Sequence, residues 1–246
     1  VSSNARKENL TGITFRIWDS TFTKLLYESK FNYGNKFDNI ILNKNIKMNI
    51  PKNESSWFTY YETLLARTYE YGAIAPNEGD VCVDLGANWG FATMFMLEYD
   101  VKKIYSIEPA PFVFSYMKKN VEDFSTIVVP INAALHSKSG KAEFNNYRDG
   151  NTISHLREMG ELKKDGCKVI EVPTLSFNDL IKNYNIEHIN FLKCDVEGSE
   201  FSIFFNADKD YLKNHVDKII MEVHLIDVAR DKPRKDQLIE LFKSLG

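Results

Sequence analysis

The stretch Asp80-Val-Cys-Val-Asp-Leu-Gly-Ala-Asn-Trp-Gly90 constrains the fold more than any other part of the chain. Val81, Cys82, Val83 and Leu85 form a continuous apolar run, the pattern of a strand covered on both faces. Gly86, Asn88 and Gly90 then require a tight turn, and Trp89 to Tyr99 follows with Phe91, Ala92, Met94, Phe95, Met96 and Leu97, a helix apolar enough to pack on a sheet. Strand, glycine turn and helix in this order form a nucleotide-type pocket, because positions without side chains let a ligand approach the main chain.

The residues around the glycines select the ligand. A dinucleotide fingerprint reads G-x-G-x-x-G, whereas this loop reads G-x-N-x-G over Gly86, Ala87, Asn88 and Gly90. Asp84 ends the strand directly before the loop, where it repels a pyrophosphate but attracts an ammonium or a sulfonium-bearing amino acid, which favours S-adenosylmethionine. A second strand, Lys103 to Glu108, ends in another acid 24 positions after Asp84, about where a carboxylate that bonds ribose hydroxyls belongs.

From Pro76 onward strand and helix patterns alternate, which predicts an α/β fold: a Rossmann-like, doubly wound, mostly parallel sheet. Strands are expected near 80–85, 103–108, 126–131, 189–194 and 217–223, and helices near 89–99, 111–123, 175–184, 199–205 and 233–244. Residues 140–144 and 168–172 read as a small antiparallel pair inserted after the third strand. Their long polar connection, 145–166, is expected to hold acceptor contacts around Asn151, Thr152 and Ser154. Residues 1–58 are read as an N-terminal extension, a lid or β-extension built of a short helix and one or two strands. The core is assigned to 59–246, with Thr59-x-x-Glu62 as a capping box for its first helix. The last helix has no strand after it, so the core is expected to stop short of the full domain at its C-terminus.

Two further strand ends carry chemistry. Phe191-Leu-Lys-Cys-Asp195-Val-Glu197-Gly-Ser-Glu200 delivers Asp195 and Glu197 to the carboxyl end of the sheet, with Glu200 read as a structural acid at a helix N-terminus. Ile219-Ile-Met-Glu222-Val-His224 puts Glu222 and His224 on one face of the next strand. His224 is the expected general base, having an ordinary pKa near neutrality, and Asp195 is its alternative. A divalent metal held by Asp195 and Glu222 is conceivable but not favoured, since two acids on separate strands make an incomplete ligand set, and no metal ligands are assigned.

Composition narrows the partners. A formal charge of −3 argues against a basic face for nucleic acid. Cys82, Cys167 and Cys194 are scattered, a set that fits neither a disulfide framework nor a zinc site. No run reaches the length of a membrane span and the first residues lack the apolar core of a signal peptide, so a cytoplasmic enzyme acting on a small-molecule or glycan acceptor is expected. A module that binds S-adenosylmethionine without catalysis stands as the alternative.

The segments VDLGANWG (83–90), YSIEPAP (105–111), INAALHSKSG (131–140), VPTLSFNDL (172–180), INFLKCDVEGSE (189–200) and IIMEVH (219–224) occur in one order. Taken together they resemble the FkbM-type S-adenosylmethionine-dependent methyltransferases, a likeness that covers residues 60–245. The resemblance implies a Rossmann-like core and methylation of hydroxyls on sugars or polyketide-type natural products. It also implies that Asp84, Gly86, Ala87, Asn88 and Gly90 lie at the methionine end of the cofactor, that Glu108 holds the ribose and that Asn132 and Ala133 border the adenine. Asp195, Glu197, Glu222 and His224 match the family's strand-end motifs and are the expected catalytic residues, with Asp195 also an expected cofactor contact.

Overall fold

A computed structural model describes residues 13–19, 39–41, 47–50, 54–147, 154–156 and 167–246. In chain order its first strands are β1 (Thr14–Asp19), β2 (Asn39–Ile41), β3 (Lys47–Asn49), β4 (Val81–Leu85), β5 (Lys103–Ile107) and β6 (Val128–Ile131). The remainder are β7 (Ala134–His136), β8 (Gly140–Tyr147), β9 (His155–Leu156), β10 (Cys167–Ser176), β11 (Ile189–Cys194) and β12 (Val216–Val223). Helix α1 (Glu54–Tyr60) runs into a π-helical turn, Tyr61–Leu65. Helices α2 (Phe91–Leu97), α3 (Pro111–Asn120), α4 (Phe177–Asn183), α5 (Glu200–Phe204), α6 (Lys209–His215) and α7 (Val228–Leu245) follow. None of the helices among the described residues is long and apolar enough to cross a membrane.

Six strands pair in the order β1-β12-β11-β4-β5-β6, every pair parallel, as expected of a doubly wound fold. Strand alternation divides the core. Val83, Leu85, Leu192, Cys194, Ile219 and Met221 face one side, where Phe177, Leu180, Phe201, Phe204 and Phe242 cover them. Cys82, Ile104, Val128, Phe191 and Ile220 face the other, against the buried helix α2. The sequence-predicted strands coincide with β4, β5, β6, β11 and β12 to within two residues at each end.

Several local expectations need correction. The sequence leaves open where strands of the N-terminal stretch pair; β1 lies along β12, Thr14 opposite Lys218 through Asp19 opposite Val223. Helix α1 begins at Glu54, so Thr59 and Glu62 lie within helical turns and form no capping box. Helix α7 starts at Val228, ahead of Pro233, because Asp227 accepts a hydrogen bond from the Arg230 N–H as its cap. Helix α6, capped by Asp208, was not anticipated. The insert is larger than a two-stranded pair: β8 and β10 are antiparallel, and β7 and β9 extend them into a four-stranded sheet ordered β7-β10-β8-β9. All three cysteines are free and buried.

Candidate active site

Strand order fixes where a ligand can bind. The chain runs outward from β4 through β5 to β6 and then returns to the other side of β4 with β11 and β12, so the topological switch lies between β4 and β11. Ligands in open α/β sheets bind outside the carboxyl ends of strands at such a point. A cavity of about 550 Å³ occupies it, lined by the segments that follow β4, β5, β11 and β12. The π-helical turn and Tyr69 cover it on one side, and Phe144, Ser154 and Leu156 of the insert also border it.

The loop after β4 is built by hydrogen bonds that carry the strand ladder onward. Gly86 and Ala87 N–H groups donate to the Ile107 carbonyl, and Asp195 N–H donates to that of Leu85. Gly86 has φ 76°, and a Cβ there would stand 1.8 Å from the Asp195 carbonyl oxygen. Its bare backbone therefore serves the contact with the β11 end, where the sequence reading had assigned it to ligand approach. Asn88 (φ 52°) takes the left-handed turn position that asparagine tolerates, and its Oδ1 accepts from the Trp89 N–H at 2.7 Å. Gly86, Ala87 and Asn88 line the cavity, whereas Gly90, at the start of α2, packs on Met117.

Glu108 is buried at the end of β5 yet lines the cavity. One carboxyl oxygen accepts from the Asn88 N–H at 3.0 Å and the other from the Ala110 N–H at 2.8 Å. Burial pushes this carboxyl up to about 7, despite the lowering effect of those two donors. Asn132 Nδ2 donates to the Glu108 and Pro109 carbonyls and so shapes this corner from behind, while Ala133 lines the cavity.

Asp84 differs from its expected place. It does not line the cavity: it is fully enclosed beneath α2, where Oδ2 accepts from Thr93 Oγ1 at 2.8 Å and Oδ1 stands 3.3 Å from Lys193 Nζ. Lys193, on the neighbouring strand, answers the enclosed acid. Its Nζ donates to the Gly86 carbonyl at 2.7 Å and lies 3.8 Å from Asp195 Oδ2, tying the glycine loop to both acids. Burial opposes the lysine charge, but Asp84 and Asp195 more than offset it and raise its pKa. A single lysine in the apolar run Ile189-Asn-Phe-Leu-Lys-Cys was the available signal, since a buried charge requires a partner.

Asp195, Glu197, Glu222 and His224 are brought together at the ends of β11 and β12, all lining the cavity. Asp195 Oδ2 accepts from Tyr69 OH at 2.8 Å. His224 Nδ1 pairs with Glu200 Oε1 at 2.9 Å, and its Nε2 lies 3.3 Å from Glu197 and 3.8 Å from both Asp195 and Glu222. Burial opposes the imidazolium, yet Glu197, Glu200 and Asp195 hold His224 well above its ordinary pKa. The acids that surround Nε2 thus favour the protonated imidazole, and a proton leaving this ring has carboxylates beside it to receive it. Burial likewise pushes Glu197 up to about 8, the adjacent imidazolium notwithstanding.

Glu62, in the π-helical turn, is the acid that pattern reading missed as a site residue. It is buried, lines the cavity, and its pKa is raised strongly by burial and then by Glu222 and Asp195. Of the expected acceptor contacts, Ser154 lines the cavity and its Oγ accepts from the Tyr147 N–H at 3.1 Å. Asn151 and Thr152 lie outside the described residues.

A family model described as the methyltransferase FkbM domain matches residues 84–246. The 31-O-demethyl-FK506 methyltransferase FkbM of Streptomyces tacrolimicus is 25% identical over 199 residues, covering 70% of this chain and 76% of its own. Methyltransferase sdnD of Sordaria araneosa is 25% identical over 182 residues, 63% and 70% of the two chains. The hexuronic acid methyltransferase AglP of Haloferax volcanii is 25% identical over 148 residues, 60% and 57% of the two chains. The matched span opens at the acid that braces the glycine loop and runs through every strand end after it that borders the cavity: the chain belongs to the FkbM methyltransferase family.

Proposed function

We propose that this protein is an S-adenosylmethionine-dependent O-methyltransferase acting on a hydroxyl of a sugar or polyketide-type acceptor. The observation that carries the reading is the Glu108 carboxyl at the switch-point cavity, held by the Asn88 N–H of the glycine loop and by the Ala110 N–H. The cavity suits that cofactor. Its volume falls in the range that buries a drug-sized ligand, its carboxyl groups complement an ammonium and a sulfonium, and Ile107, Val113, Ala133 and Leu135 offer an apolar seat for adenine. Bound there, S-adenosylmethionine supplies an electrophilic methyl group. Glu108 accepts hydrogen bonds from the ribose hydroxyls, and the main chain of Gly86 to Asn88 bounds the methionine end.

Asp195 is the residue assigned to the acceptor's proton. Its carboxylate reaches the cavity while Tyr69 OH and Lys193 hold its orientation, so it can accept the proton as the oxygen takes the methyl group. General-base help of this kind contributes on the order of 10²-fold or more. Asp195→Asn is therefore expected to lower turnover at least on the order of 10²-fold while changing S-adenosylhomocysteine affinity only a few-fold, measured as product formed against a panel of hydroxylated glycans and natural products. Unchanged turnover would remove Asp195 from this role. The acceptor class is carried over from the named relatives, one acting on an O-demethyl natural product and one on a hexuronic acid.

The pKa of Glu108 gives the reading a pH signature. Its folded-state value of about 7 means that the carboxyl holds its proton below that pH and is a full acceptor above it. Affinity for S-adenosylhomocysteine is thus expected to rise as pH increases through 7, by about tenfold between pH 6 and pH 8. Glu108→Gln should flatten the slope in calorimetric titrations at the two pH values, and a slope retained in that variant would assign it to another group.

A further inference from the structure

Asp195, Glu197, Glu200 and Glu222 gather around His224, Glu62 lies close to Glu222 and Asp195, and the nearby Lys193 is already engaged by the enclosed Asp84. Asp195, Glu197 and His224 each present one ligand atom, all within 4.8 Å of one another. At bonds of about 2.1 Å, neighbouring ligands on one ion stand about 3 Å apart and opposed ones about 4.2 Å. The separations of His224 Nε2 from Glu197 and Asp195, 3.3 and 3.8 Å, fall between those limits.

A second observation points to a ligand independently of that cluster. Glu62 comes from a different element, is only 6% exposed, lines the same cavity, and its Oε1 has no hydrogen-bond partner among the described residues. A buried carboxyl oxygen left without a donor is costly unless something else supplies positive charge. The imidazole is also set up as ligating histidines are: Glu200, fully buried, takes Nδ1 at 2.9 Å and directs Nε2 toward the acids, and an ion bound at Nε2 takes the place of its proton, which is released.

We propose that Asp195, Glu197 and Nε2 of His224 form a binding site for a divalent first-row cation, with Glu62 and Glu222 adding negative charge around it. One imidazole with two carboxylates suits Mn²⁺ better than Mg²⁺ or Ca²⁺, which favour all-oxygen sets. Three protein ligands leave open positions, which an acceptor's oxygen atoms can fill. That use rests on the methyl-transfer reading. A hydroxyl bound to the ion is more acidic, so its proton passes more readily to Asp195 Oδ2, the oxygen on the Tyr69 side, while Oδ1 on the His224 side faces the ion.

The test is titration of the purified, chelator-treated protein with MnCl₂ alone, followed by calorimetry and by loss of the free Mn²⁺ electron paramagnetic resonance signal. One ion per chain is expected, with affinity reduced at least tenfold in Glu197→Gln and in His224→Ala and with Mg²⁺ a weak competitor. S-adenosylhomocysteine binding is measured beside it and should persist in Glu197→Gln. Failure to take up Mn²⁺, or uptake that both substitutions leave unchanged, would overturn the site. Loss of Mn²⁺ with retained S-adenosylhomocysteine binding in Glu197→Gln supports it even if His224→Ala does not fold. Absence of S-adenosylhomocysteine binding in the unmodified chain counts against the methyltransferase reading separately.

Discussion

Gly86→Ala is expected to cost about 4 kcal/mol or more, enough to leave little folded protein. Two causes act together. The residue has φ 76°, which an alanine occupies only under strain, and the added Cβ would meet the Asp195 carbonyl oxygen at 1.8 Å. That oxygen belongs to the backbone at the end of β11, which is held to Leu85 by the Asp195 N–H, so it cannot rotate away as a side chain could. Relief requires β4 and β11 to separate at the switch point, where the cavity forms. Against a typical total stability of about 5–15 kcal/mol, such a loss shows as a collapse of soluble yield or of the denaturant midpoint. Gly90→Ala provides the contrast. Its nearest neighbour is the flexible Met117 side chain at 3.3 Å, so the penalty is mainly the strain at φ 94° and is expected at about 1–2 kcal/mol. Equal effects of the two substitutions would contradict the assignment of Gly86 to the β11 contact.

Lys193→Met is expected to destabilise by about 3–5 kcal/mol, because breaking a buried pair leaves the other charge without compensation. Lys193 and Asp84 are both almost wholly enclosed, 3.3 Å apart, and the ammonium also satisfies the carbonyls of Leu85 and Gly86. At this chain length each kcal/mol lowers the melting midpoint by about 2–4 °C, so a fall of roughly 6–20 °C is expected. Asp84→Asn added to Lys193→Met should recover part of the loss, since it removes the stranded carboxylate; strict additivity would show that the two groups are not coupled. Lys193 also reaches from the acid beneath the glycine loop to Asp195 in the cavity, so under the proposed function the cofactor loop and the proton acceptor share one brace.

The sheet was legible in the sequence because parallel strands covered on both faces must be continuous apolar runs, as at 81–85 and 189–194. Acids directly after those runs marked Glu108, Asp195 and Glu222, all of which reach the cavity. Asp84 was misplaced for a reason that alternation explains afterwards. It sits on the same strand face as Cys82, turned toward Thr93 under α2, while a buried lysine from the adjacent strand answers it. Pairing of that kind joins residues more than a hundred positions apart and leaves no local pattern. The same holds for β1, whose place beside β12 depends on registration across most of the chain. His224 shows the limit most clearly. Its strand-end position was readable, but its partners Glu197, Glu200 and Asp195 come from the neighbouring β11 end and the start of α5, and these raise its pKa in a way that no local pattern announces. Glu62 was visible as an acid near an aromatic helix, and only the π-helical turn brings it into the cavity.

The most direct test of the central claim, that the switch-point cavity is a cofactor site built on Glu108, is calorimetric titration of the folded protein with S-adenosylhomocysteine beside Glu108→Ala. Micromolar binding is expected, weakened in the variant by about 1–3 kcal/mol, the cost of a lost hydrogen bond to a charged group. A folded protein that ignores the ligand, or one that binds it equally well without the Glu108 carboxyl, would contradict the claim.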